Sequence, residues 1–480
     1  MSDLSFHDGR VVLRAGDCLA VLDTLADNSV DAVVTDPPYH LLSTVKRFGA
    51  VSQGDDTKTA QRARDGADRM ARLSRGFMGK EWDGGDIVFT VELWAKVFRV
   101  LKPGGHLVAF AAPKCAHRMV CAIEDAGFEI RDGLMWMFGT GFPKSLDIFK
   151  AIDKAAGAER EVVAMGDPIK RMIPGADQNK AGWEKNDGRV FAPAITAPAT
   201  DAAKEWNGWG TALKPAYEPI CLARKPIAEK TVAANVLRWG TGGLNISACR
   251  VGEDCTARVH HAEMGYHGGN SAGQYATGST LGRWPANVCH DGSDEVVAGF
   301  PDSDGQQFAT GPQYGSKSSV NVCGDYGPVK EFQPRGVSGS AARFFYSAKA
   351  DADDRIGSKH PTVKPVALMR WLARLVTPDG GTILDPFAGT GTTGHAALLE
   401  GFKATLIERE AEYRADIARR MGLVFAGRVE RVAARMKARG QTAPVGGLFD
   451  GMDAQPPAEG GGGRLVYGKF ARDTRSAPSE

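Results

Sequence analysis

Short apolar runs alternate with longer amphipathic stretches over two separate blocks of the chain. In the first block the pattern predicts a strand near Val11–Leu13, a helix over 18–26, a strand over 30–35, a helix over 87–101, a strand from His106 to Ala111, a helix over 114–126 and a strand over 128–138. The second block repeats the rhythm, with a helix over 365–376, a strand over 382–385, a helix over 392–400, a strand over 402–407 and a helix over 410–421. Such alternation predicts an α/β fold built on a parallel sheet. Residues 160–345 lose the rhythm: they are rich in glycine, with only isolated strand-like pieces such as EPICLARK and RFFYSAK. The expected organisation is therefore an amino-terminal α/β part (1–159), an irregular insert (160–350), a carboxyl-terminal α/β part (351–440) and a low-complexity tail (441–480).

Composition changes this picture little. Hydrophobic residues at 43% and charged residues at 24% describe an ordinary globular chain, and a net charge of +2 leaves any nucleic-acid surface to local patches. Two basic runs qualify. Lys58 to Lys80 holds seven basic residues against two acidic, and Arg409 to Arg439 holds nine against four. The first is the better candidate for phosphate contact; the second reads equally well as a solvated helix face. The amino terminus lacks a signal-peptide pattern and no long apolar run is present, so the expectation is a cytoplasmic protein without a membrane anchor. Eight cysteines without a CxxC pair fit reduced thiols. Cys249, Cys255, His260 and His261 match no common zinc spacing, and no metal is expected.

Two stretches carry chemistry. In VVTDPPYHLL, Val33 and Val34 suit a strand buried on both faces, while Pro37 and Pro38 end it. Asp36 and Tyr39 are thereby presented rigidly at a strand's carboxyl end, the edge where ligands bind in open α/β sheets. In TILDPFAGTGTTGHAALLEGFKATLIERE, Gly389, Gly391 and Gly394 form GxGxxG between the strand ending at Asp385 and the helix from Thr392. Glu408 closes the next strand, where a carboxylate can accept from both hydroxyls of a ribose. An adenosine-containing cofactor follows, either NAD or S-adenosylmethionine.

The run Asp385-Pro386-Phe387-Ala388-Gly389-Thr390-Gly391-Thr392, taken with Asp36-Pro37-Pro38-Tyr39, resembles the amino-methylating DNA methyltransferases. Because DPPY precedes the glycine loop, the order is similar to the β class, a circular permutation of the S-adenosylmethionine-dependent, Rossmann-like methyltransferase fold. The resemblance extends to His360-Pro361-Thr362-Val363-Lys364-Pro365 and to Gly16-Asp17. It implies S-adenosylmethionine as cofactor, bound by Asp385, Phe387, Gly389, Gly391, Thr392 and Glu408, with Asp17 near the adenine and Thr362 and Lys364 at the methionine end. It implies Asp36, Pro37, Pro38 and Tyr39 as the catalytic segment and double-stranded DNA as partner. Dimers are frequent in the class and a restriction nuclease can accompany it, so a homodimer and a cognate nuclease are further expectations, in a bacterial or phage-encoded setting. The insert is then the expected target-recognition region, where Arg238, Trp239, Arg250, Arg283, Trp284 and Arg343 are the types that read bases and phosphates.

The chemistry explains the prolines. An exocyclic amine is a poor nucleophile because its lone pair is conjugated with the ring. Asp36 and the carbonyl of Pro37 can accept its two hydrogens and aim the lone pair at a sulfonium methyl, and Tyr39 can stack on a base flipped from the duplex. Asp can accept from either amine, so the choice of base rests on the resemblance, in which DPPY is similar to adenine-N6 enzymes more often than to cytosine-N4 enzymes; adenine N6 is favoured, cytosine N4 stays open, as does a DNA-binding module that keeps the fold without turnover.

Overall fold

The computed structural model describes residues 3–39, 86–141, 145–167, 169–170, 176–179, 182–185, 190–252, 256–259, 276–279, 282–303, 319–321, 324–326, 339–348, 352–358, 360 and 362–438. The basic run 58–80 and the tail 441–480 lie outside them, as do Cys255, His260 and His261.

Ten strands form one sheet among these residues: β1 (Leu4–Phe6), β2 (Val11–Ala15), β3 (Val30–Thr35), β4 (Leu101–Phe110), β5 (Glu129–Met137), β6 (Tyr217–Arg224), β7 (Val288–His290), β8 (Tyr346–Ser347), β9 (Thr382–Asp385) and β10 (Lys403–Glu408). Their spatial order is β1-β2-β10-β9-β3-β4-β6-β5-β7-β8. Strands β2, β10, β9, β3 and β4 run parallel, while β6 lies antiparallel between β4 and β5. The alternation of side chains assigns neighbours to opposite faces: Val34, Ile383 and Leu406 enter one core, Val33, Leu384 and Ile407 the other. One face is covered by α7 (Val366–Val376) and α8 (Thr392–Leu399), the other by α1 (Cys18–Thr24), α2 (Val91–Val100) and α3 (Ala116–Asp125). This double cover is why the strands read as unbroken apolar runs, each buried valine contributing roughly 1.5–3 kcal/mol.

Strand β4 begins at Leu101, earlier than the expected His106. Val30 pairs with Leu101 but Ala32 with His106, so Lys102-Pro103-Gly104-Gly105 bulges from the ladder, where proline cannot donate. A larger difference concerns the insert. The chain divides into one compact unit of residues 1–139 and 217–480 and a second of 140–216. Strand β6 sits at the centre of the sheet with Ile220 to Arg224 buried, and β7 and β8 extend the sheet beyond β5. The helix Asp294–Ala298 lies between β7 and β8 in the chain.

The second unit contains the helices Ile148–Ala155 and Asp201–Glu205 and an antiparallel ladder of Val162–Met165 with Ala194–Thr196. Asp153, fully buried, accepts from the backbone N–H groups of Ala199 and Thr200 at 3.0 Å and so ties the turn before the second helix to the first. Among the described residues no helix is long and apolar enough to cross a membrane.

Candidate active site

Chain order and sheet order together create the site. From β9 the chain steps to β10 on one side, whereas the other neighbour, β3, leads to β4 in the opposite direction. The carboxyl ends of β9 and β3 thus flank a topological switch point, the place at which open α/β sheets bind their ligands. Asp385 ends one strand and Asp36 follows the other. Thr35 Oγ1 donates to Asp385 Oδ1 at 2.7 Å, linking the two predicted motifs across 350 residues of chain.

On the β9 side, Asp385 also accepts from Thr393 Oγ1 at 2.6 Å and from the N–H of Phe387 at 3.1 Å. Burial raises its pKa to about 6 against those three donors, with Asp36 adding to the rise. Phe387 is half-buried against the core, and Thr392 is buried at the start of α8. Gly391 caps this helix at φ +77°, and a Cβ there would stand 3.0 Å from Ile417. Gly389 also has positive φ, at +52°, and its N–H donates to Glu408 Oε2 at 2.8 Å. The other oxygen of Glu408 accepts from the N–H of Glu410 at 2.7 Å. Burial lifts the Glu408 carboxyl to about 7, opposed by these two N–H groups and assisted by Glu410 and Asp385. Asp17 is exposed and caps α1 by accepting from Leu19 N–H at 3.0 Å; the preceding Gly16 N–H donates to the carbonyl of Glu408 at 3.3 Å. Asp17, Asp385, Phe387, Gly389, Gly391, Thr392 and Glu408 therefore gather around the ends of β2, β10 and β9.

On the β3 side, Pro37 is buried, and Asp36, Pro38 and Tyr39 are half-buried. Lys364, 5% exposed, reaches this segment: its Nζ lies 2.8 Å from Asp36 Oδ2, 3.0 Å from the Tyr39 hydroxyl and 3.1 Å from Glu218 Oε2. The Tyr39 hydroxyl donates to the same Glu218 oxygen at 3.0 Å. Burial opposes the lysine's charge, yet Asp36 and Glu218 outweigh it and hold its pKa above the ordinary value. Burial and the same two carboxylates push Tyr39 well above the usual phenol range, so it stays neutral. Asp36 Oδ1 is buried and, among the described residues, accepts no hydrogen bond. Thr362 is exposed; its carbonyl lies 2.5 Å from His360 Nδ1, and the His360 ring in turn stands near Gly389.

Two participants escaped the sequence reading. Glu218 lies on β6, inside the stretch read as irregular. Arg420, taken as part of a charged helix face, is 1% exposed on α9 (Ala411–Gly422) and donates through Nε to the Thr390 carbonyl at 2.7 Å, bracing the glycine loop. A signal for it existed: Tyr413, Ile417, Arg420 and Met421 share one helical face and are the buried positions of α9. Of the insert residues, Arg250 lies over the Trp284 ring at 5.4 Å, and Arg283 and Arg343 lie over Phe344 at 4.7 and 4.5 Å. Cys249 is buried beside Trp371, and among the described residues no group of His, Cys, Asp and Glu could hold a metal ion.

The profile of the DNA methylase family matches residues 30–419. The Type II methyltransferase M.HindIII of Haemophilus influenzae is 26% identical over 245 residues, which is 48% of this chain and 63% of that protein. The DNA adenine methyltransferase YhdJ of Escherichia coli is 44% identical over 54 residues, 11% of this chain and 18% of that protein. The chain thus spans less than two thirds of the length of either relative. Among solved structures, the PvuII DNA methyltransferase (cytosine-N4-specific) is similar at 12% identity and a TM-score of 0.35, covering 90% of this chain and 94% of that one.

Proposed function

The chain belongs to the DNA methylase family, and from that premise we propose that it transfers a methyl group from S-adenosylmethionine to the N6 amine of adenine in duplex DNA, after flipping the base. The cofactor is S-adenosylmethionine, which when bound supplies an electrophilic methyl group on sulfur. The residues present fit it: a positive-φ glycine loop opening α8, and a carboxylate, Glu408, with lone pairs left for ribose hydroxyls after accepting two N–H groups.

The observation that carries the reading is the buried Asp36 Oδ1, which has no hydrogen-bond partner among the described residues. Leaving a buried acceptor unsatisfied costs about 1–3 kcal/mol, a cost that a substrate donor would remove. Lys364 pins the other oxygen and so fixes the direction in which Oδ1 can accept. An exocyclic amine donating one hydrogen to Oδ1 and one to the carbonyl of Pro37 would present its lone pair to the switch point beside Asp385. The rigid prolines keep these acceptors in place without reorganisation during the reaction. Tyr39, its hydroxyl held by Lys364 and Glu218, offers a fixed ring for the flipped base. Transfer is direct and in line, without a covalent enzyme intermediate.

Adenine is favoured by Asp36 at the head of the tetrapeptide and by the activity that the YhdJ relative is named for. Sequence recognition is assigned by elimination to the insert, residues 160–345, apart from the strands β6 and β7. The test is incubation with S-adenosylmethionine and unmethylated genomic DNA, followed by nucleoside mass spectrometry, with Asp36→Ala in parallel. N6-methyladenine from the wild type alone is expected. N4-methylcytosine would overturn the choice of base; no methylated nucleoside, with cofactor and DNA both bound, would overturn the activity.

A further inference from the structure

A buried ammonium is an unfavourable neighbour for a cationic methyl donor. Lys364 Nζ lies 2.8 Å from Asp36, the group that orients the amine, so a sulfonium delivering methyl to that amine must come within a few ångströms of the lysine. Asp36 and Lys364 sum to zero charge, so this pair by itself gives the sulfonium no net attraction. Glu218 alters that sum. Its carboxylate stands 3.1 Å from Nζ, while Tyr39, which donates to it, remains a neutral phenol. Two carboxylates, one ammonium and one phenol leave the cluster one negative charge.

We infer that Glu218, a strand residue outside every recognisable motif, is a positioning residue that offsets Lys364 and so makes the site prefer S-adenosylmethionine, a cation, over S-adenosylhomocysteine, the neutral thioether left after transfer. In the transfer an N–C bond forms and an S–C bond breaks, and the bonding pair stays on sulfur. The positive charge passes to the base nitrogen, whose proton leaves to the Asp36 carboxylate. The cluster then carries no net charge and faces an uncharged thioether, so nothing electrostatic retains the product. The burial of Lys364 supports this role: in a water-poor site a single charge a few ångströms away is worth about tenfold to a hundredfold in affinity, far more than at a surface.

The inference rests on the methyl-transfer reading, and a binding experiment separates the two. Titration calorimetry of the full chain with S-adenosylmethionine and with S-adenosylhomocysteine gives the ratio of the two affinities. Glu218→Gln is expected to lower that ratio about tenfold or more. The double variant Glu218→Gln/Lys364→Met, again with one net negative charge from Asp36, is expected to restore it. If the glutamine variant does not fold, Glu218→Ser removes the same charge and leaves room for water beside Lys364. A Glu218 that only braced the fold would lower both affinities together, and an unchanged ratio overturns the inference alone. A wild-type chain that binds neither compound overturns the methyl-transfer reading along with it.

Discussion

If Glu408 holds the ribose as proposed, it ties cofactor binding to a proton. Its carboxyl, buried at the end of β10, titrates at about 7 rather than in the usual range near 4.5. To accept hydrogen bonds from ribose hydroxyls it must be ionised, so binding below that pKa first requires a proton to leave. If the bound state holds only the ionised form, the apparent Kd scales as one plus the protonated-to-ionised ratio: roughly 2-fold weaker at pH 7 than at high pH, and about 11-fold weaker at pH 6. Above pH 8 the dependence vanishes. The sign for the free fold is the opposite. Between about 4.5 and 7 the folded chain keeps a proton that the unfolded chain has lost, so stability is greatest at low pH and falls as pH rises through this window, by up to about 3 kcal/mol for a shift of this size. Calorimetry in two buffers of different ionisation enthalpy, at pH 6 and 8, counts the released proton directly. Glu408→Gln should bind weakly at both values, lose most of the slope, and remove the stability loss of the free protein. Asp385, near 6, supplies the residual slope. A wild-type affinity equal at pH 6 and 8, or a Glu408→Gln slope equal to that of the wild type, would refute the coupling.

Other substitutions separate loop, brace and base. Gly391→Ala and Gly389→Ala both meet a left-handed backbone, worth about 1–2 kcal/mol, but the first also brings a Cβ to 3.0 Å from Ile417 whereas the second meets ordinary contact with His360 at 3.5 Å; thermal denaturation should rank Gly391→Ala lower, and equal melting temperatures would contradict this. Arg420→Met strips donors from the Thr390 and Asp354 carbonyls and should cost about 2 kcal/mol or more in urea unfolding while weakening cofactor binding; unchanged affinity would mean the loop needs no brace. Tyr39→Phe keeps the stacking face, and Tyr39→Ala removes it, so only the alanine variant should lose about tenfold to a hundredfold in the fluorescence-detected extrusion of a 2-aminopurine target.

What could be read in the sequence followed the range over which each signal acts. The parallel strands and their helices were legible because burial on both faces writes itself as local apolar runs, and Asp36 and the glycine loop were legible because a proline-locked turn and positive φ need particular residues in sequence. Strand β6 was not: EPICLARK looks the same whether it is an isolated piece or the central strand, and only its pairing with β4 and β5 decides. Charge counting failed at Arg420 for a related reason, since a net balance ignores which helical face each charge occupies. Mistaking β6 also hid Glu218, whose role depends entirely on the strand crossing back beneath Tyr39 and Lys364. The motifs supply the acceptor, the loop and the lysine, but the charge that reconciles a buried lysine with a cationic donor comes from a strand that no motif marks. A change of donor preference through Glu218 would therefore be invisible to any comparison confined to the motifs.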